Sequence, residues 1–168
     1  DRFSFSYWEL REICGGWVPS QGSFSDVGVF HGCNRALRWE NGEGALAEYQ
    51  RLLAATRYAS GGWKQGWQAW NKTGLLISQM GELKSCLYAS THFEIGSAAM
   101  VPKKPENLLP IWTYCRRAEY FDAIRKVNPS LFVTNASLVN VPFDLDNWQK
   151  VATEEYPNGL PEPYSDDP

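Results

Sequence analysis

No apolar run in this chain reaches the roughly 18 residues that a membrane-spanning helix needs. The N-terminus is charged and polar, and it carries no signal-peptide pattern. Histidine is scarce, with only His31 and His92, which stand far apart. The four cysteines, Cys14, Cys33, Cys86 and Cys115, form no Cys-x-x-Cys pair. His31 and Cys33 are close, but a zinc site needs about four ligands at recognisable spacing. No metal site is therefore assigned. The cysteines read as buried reduced thiols of a cytosolic protein, and the expected location is cytoplasmic. There is no internal repeat and no low-complexity tract.

Catalytic constellations are missing too. No strand is followed by a glycine-rich turn of the kind that holds S-adenosylmethionine. Glu9 and Glu12 have no acid–base partner, and Glu119 and Asp122 read as a solvated helix face. Glu82-Leu83-Lys84 supplies the Glu-x-Lys part of a restriction-nuclease arrangement, but no aspartate precedes it at the usual spacing. Asn128-Pro129-Ser130-Leu131 matches only the first half of the Asn-Pro-Pro-Tyr motif of adenine methyltransferases. It lacks the aromatic that stacks on a flipped base, so it reads as a helix stop. The expectation is a chain with no catalytic residues and no cofactor of its own.

What is present suits one domain with a sizeable core. The chain has 168 residues, 43% of them hydrophobic and 14% aromatic, which excludes disorder. A single domain over residues 1–156 is expected, with a proline-rich extended tail or linker over 157–168. The chain begins at Asp1 rather than Met and ends in Glu162-Pro163-Tyr164-Ser165-Asp166-Asp167-Pro168. It reads as an excised piece of a longer protein.

Periodicity predicts an α/β (α+β) class, with a mixed or antiparallel sheet and flanking helices. Gly44–Tyr58 reads as a helix, with Leu46, Tyr49, Leu53 and Thr56 on one stripe and Gly61-Gly62 ending it. Leu75–Gln79, Cys86–Ala89 and Ser97–Val101 read as strands. The last two are expected to pair antiparallel, because the connection is too short for a helical crossover. Leu108–Arg117 and Glu119–Val127 read as helices, with Asn107 as an N-cap and Asn128-Pro129 as a stop. Short strands are expected near Leu131–Val133 and Val139–Val141. A final helix follows Pro142-Phe143-Asp144, with Leu145, Trp148, Val151 and Ala152 on its apolar face and Asp144 or Asp146 as cap.

Charge is unevenly distributed, although the net charge is only −3. Residues 1–50 carry four basic and seven acidic groups; residues 51–126 carry eleven and five; residues 127–168 carry one and seven. Phosphate binding depends on local positive charge, so the middle third is the candidate contact face. Lys64, Lys72, Lys103, Lys104, Arg116 and Arg117 lead that set. For any single lysine, a solvated helix face is the plainer explanation.

The segment Gly61–Gly74 interleaves Trp63, Trp67 and Trp70 with Lys64, Gln65, Gln68, Asn71 and Lys72. The tryptophans are expected to pack inward. The polar residues between them face either DNA or plain water. Glutamine and asparagine can bond adenine edges bidentately, and lysine can reach guanine or phosphate. Base readout is therefore expected from Gln65, Gln68, Asn71 and Gln79. The acidic C-terminal segment should face away from DNA.

The order of these segments resembles a target recognition domain, the DNA-reading module of restriction-modification enzymes. The helix pair, then Thr134-Asn135-Ala136-Ser137-Leu138, then Ala136-Ser137-Leu138-Val139-Asn140-Val141-Pro142-Phe143 and a final helix, resembles type I specificity subunits. Leu75-Leu76-Ile77-Ser78-Gln79-Met80-Gly81-Glu82 resembles the strand and turn that open the distal half. Asp1-Arg2-Phe3, Tyr7-Trp8-Glu9, Trp17-Val18-Pro19 and Leu37-Arg38-Trp39-Glu40-Asn41-Gly42 resemble the region after the catalytic domain of type IIG and BREX-like adenine-N6 DNA methyltransferases. Ser20-Gln21-Gly22 stands where the family has a glycine pair. The resemblance implies a non-catalytic reader of double-stranded DNA. Its partner would be a methyltransferase domain of the same polypeptide, which would bind S-adenosylmethionine. A protein-interaction module of the same enzyme and a carbohydrate-binding module are the alternatives.

Overall fold

A computed structural model of the chain describes residues 3–22, 28–56, 61–88 and 92–161. The class is α+β, with two small sheets and flanking helices. Strands β1 (Ser4–Ser6), β2 (Trp17–Gln21) and β3 (Arg35–Arg38) belong to the first sheet. Strands β4 (Gly74–Ser78), β5 (Ser85–Tyr88) and β7 (Ser97–Met100) make the second. The short β6 (His92–Phe93) lies between β5 and β7 in sequence but joins the first sheet, where it runs parallel to β2 with Ser20 opposite His92.

The expected pairing of the second and third sequence-read strands is corrected. The order is β5-β4-β7, so β4 is central and antiparallel to both neighbours. The physical reason is the sequence Leu75-Leu76-Ile77, which is fully buried on both faces. A strand apolar on both sides is stable only where both faces are covered. Leu75 and Ile77 point to a core built with Leu108, Trp112, Ile124 and Val133 from the helical side. Leu76 points the other way and joins Cys86 and Tyr88, packed by Ala69, Phe93 and Ala99.

Helices cover the first of these faces. Helix α2 (Leu108–Cys115) and helix α3 (Ala118–Val127) follow the sequence reading to within two residues. Asn107 precedes α2 but makes no capping bond, because a tight turn over Pro105–Asn107 runs straight into it. Asn128 leaves the helical region at φ −141° and stops α3, as the following proline requires.

Helix α1 (Ala45–Ala55) is shorter than Gly44–Tyr58. The Thr56 hydroxyl donates to the Leu53 carbonyl at its end, well before Gly61, and Tyr58 lies outside the described residues. Of the expected stripe, Leu46 is buried, whereas Tyr49 is exposed and its ring lies 5.7 Å from that of Phe3.

The largest departure lies between residues 131 and 141. Leu131–Val133 contributes no strand, only an isolated antiparallel bridge between Met80 and Phe132. The strand expected at Val139–Val141 is absent: helix α4 (Asn135–Val139) runs into its first residue, and Asn140 and Val141 form a bend. Thr134 explains it: its side-chain oxygen accepts the Ser137 N–H at 3.3 Å and caps the helix. Asn128 reinforces the cap by donating to the Ser137 hydroxyl. Helix α5 (Leu145–Glu155) begins as expected, with Asp144 accepting from the Asn147 N–H.

Gln21 joins the two sheets. Gln21 is fully buried, and its amide donates to the carbonyls of His31 (2.7 Å) and Leu87 (3.0 Å). It thereby bolts the first sheet to β5 of the second.

Candidate functional site

The segment Gly61–Gly74 folds as two tight helical turns, Gly61–Lys64 and Trp67–Ala69. Gly66 joins them at φ +76°, and a Cβ there would meet the Phe93 ring at 2.2 Å. Only glycine lets the loop lie this close to β6. The expectation that all three tryptophans pack inward is corrected for Trp67, which is 60% exposed. Trp63 and Trp70 are half-buried and cluster with Trp39, at 5.4 and 5.0 Å between ring centroids. His92 completes the cluster, 4.2 Å from Trp70 and 4.7 Å from Trp39. Burial among these rings pulls its pKa down to about 4, so it is neutral at physiological pH.

The loop, the first sheet and β7 enclose a cleft of about 710 Å³. Its floor includes the small residues Ser97 and Ala99, on the face of β7 opposite the helix-covered core that holds Ala98, and its walls include Trp63, Trp70, Phe93 and Phe132. Gln65, Gln68 and Gln79 all line it, so three of the four expected readout residues meet at one place. The charged residues lining it are Arg35 and Glu94, ion-paired at 2.9 Å, with Arg35 also donating to the Ser4 hydroxyl. The cleft is consequently close to neutral.

The readout residues are not equivalent. Gln65 and Gln68 are exposed. The Gln79 amide donates to the Val133 carbonyl (3.1 Å) and to Asn135 Oδ1 (2.9 Å), so it fastens the end of β4 to the start of α4. Asn71 does not line the cleft. It sits at φ +60°, a left-handed turn position that asparagine tolerates better than most residues.

The basic residues separate into groups. Lys64 lies over the Trp63 ring, its Nζ 4.5 Å from the centroid, at the cleft rim. Lys72, Lys103 and Lys104 are exposed. The β4–β7 register, with Leu75 opposite Met100, carries Lys72 and Lys103 to the same end of the second sheet. Arg116 and Arg117 are occupied elsewhere. Arg117 is ion-paired with Glu155, and Arg116 stacks on Trp112 and donates to the Tyr156 hydroxyl. Both tie α2 to the acidic C-terminal segment, and both line a second hollow of about 270 Å³ that shares no residue with the cleft.

Arg35, Phe132 and Asn135 are cleft residues that the sequence reading did not pick out. No local signal marks them. The Met80–Phe132 bridge and the Gln79 hydrogen bonds, each spanning more than fifty residues, bring two of them in. Glu82 and Lys84 pair with each other at 3.3 Å, as a surface ion pair rather than part of a nuclease centre. Among the described residues there is no cluster of three or more metal-ligating side chains, and no helix is long and apolar enough to cross a membrane. No protein-family model and no curated protein matches the chain.

Proposed function

We propose that this chain is the DNA-reading domain of a larger adenine-N6 DNA methyltransferase of the restriction-modification or phage-defence kind. The observation that carries this reading is the meeting of the exposed carboxamides of Gln65 and Gln68 at one cleft beside Lys64. Carboxamides offer a donor and an acceptor at fixed spacing, which is what base edges demand. Lysines at the rim and at the end of the second sheet supply the phosphate attraction that is independent of sequence. Arg117 drops out of the phosphate set because it is ion-paired with Glu155, and Arg116 is held down on Trp112 and the Tyr156 hydroxyl, away from the cleft. Methyl transfer and S-adenosylmethionine belong to a separate catalytic domain of the parent.

The test is fluorescence anisotropy of a labelled 30-base-pair duplex of mixed sequence, titrated with the chain between 50 and 200 mM salt. Affinity should fall log-linearly with salt, with a slope of about −3.6 if Lys64, Lys72, Lys103 and Lys104 each displace a counterion. No binding at 100 μM protein in 50 mM salt would overturn the reading. A second reading, docking on a neighbouring protein domain, draws on Met80, Leu131 and Phe132, which are 48, 69 and 50% exposed beside the Met80–Phe132 bridge. Salt-independent capture of the parent's catalytic domain without DNA binding would favour it.

A further inference from the structure

We infer that the cleft receives a single unpaired nucleobase, drawn out of the duplex, rather than the edge of a stacked base pair. This rests on the DNA-reading proposal and deepens it. The shape argues first. Major-groove edges are read by residues that project, whereas here the carboxamides of Gln65 and Gln68 border a concavity. Its volume of about 710 Å³ falls within the ~300–1,000 Å³ typical of small-molecule sites. The floor is kept open by the small residues of β7, and aromatic walls from Trp63, Trp70, Phe93 and Phe132 suit a flat π-system.

The electrostatics argue second. Arg35 is neutralised by Glu94, and His92 carries no charge near pH 7. A neutral, carboxamide-lined cleft favours an uncharged heterocycle with a donor–acceptor edge and offers nothing to a phosphate. The Lys64 ammonium lies over Trp63, a lining residue of the cleft, where it can meet the phosphate of an extruded nucleotide. Base and phosphate thus each meet the matching chemistry. A neutral sugar could also stack on tryptophan, but it would make no use of the Lys64 ammonium.

The experiment compares two labelled duplexes of one mixed sequence, one fully paired and one with a single bulged 2-aminopurine. A bulged base has no pairing to lose, so the cost of extrusion largely disappears. The wild-type chain should bind the bulged duplex at least tenfold tighter, and the 2-aminopurine fluorescence should change as the base enters the aromatic cleft. Ala99→Leu, which narrows the floor at a half-buried position, should bring the ratio of the two affinities close to one. If that variant misfolds, Gln68→Ala at an exposed position should lower the same ratio at least threefold. Equal binding of both duplexes by the wild type would overturn base capture and leave DNA reading intact. Binding of neither duplex would overturn both. Tighter binding of cellohexaose than of the bulged duplex would assign the cleft to sugar and overturn the inference.

Discussion

Acid should destabilise this fold through His92. The ring lies 4.2 Å from Trp70 and 4.7 Å from Trp39, and the residue is 6% exposed. Burial lowers its pKa from the ordinary 6.5 to about 4. In the unfolded chain the imidazole takes up a proton near pH 6.5; in the folded chain it resists until about pH 4. The unfolded state therefore binds more protons throughout that window, and stability falls as pH falls. The contribution is complete above pH 6.5 and is lost progressively toward pH 4, with no further loss below. Between pH 7.5 and pH 5 the two values give a loss of about 2 kcal/mol. For a domain of this size that is a fall in Tm of roughly 4–8 °C. Calorimetry or circular dichroism melts of wild type and His92→Gln, both taken at pH 7.5 and pH 5, isolate the term. The variant removes the titrating group while all other groups titrate in both proteins. The wild-type Tm should drop further than that of the variant by the stated amount. Equal drops in the two proteins would refute the reasoning.

Three further outcomes follow from the packing and the charge layout. Trp112→Ala should cost about 3–5 kcal/mol in urea unfolding, because the side chain is fully buried between the second sheet and the helices. Thr134→Ala should cost about 1 kcal/mol in urea unfolding, because the hydroxyl that accepts the Ser137 N–H is lost; unchanged stability would contradict the cap. In the anisotropy assay, Lys72→Ala should reduce the salt slope by about one. Arg117→Ala should leave the slope unaltered and lower stability by under about 1 kcal/mol, since its ion pair with Glu155 is largely at the surface.

The sequence by itself determined α2, α3 and α5 and the strand at Leu75–Ile77. In those segments the local signals agree with one another. Asn128-Pro129 and Asp144 punctuate helices through rules that act within a few residues, and a run apolar on both faces needs covering whatever the topology. The sequence also placed Gln65 and Gln68 in a glycine-bounded loop, and both border the cleft. Other features were decided by contacts distant along the chain. Thr134 caps a short helix, α4, between the two segments expected as strands, with the help of Asn128. The position of β4 between β5 and β7 followed from β6 leaving to pair with β2. Arg116 and Arg117 are indistinguishable from the other basic residues in sequence, and only the packing of α5 on α2 commits them to Glu155 and Tyr156. The cleft itself is of the same kind. Arg35 comes from one segment and Phe132 and Asn135 from another nearly a hundred residues on, and its neutrality depends on an ion pair that spans 59 positions, from Arg35 to Glu94. Local propensity acts over a turn or a cap, whereas a site enclosed by two sheets and a loop exists only once those elements have packed.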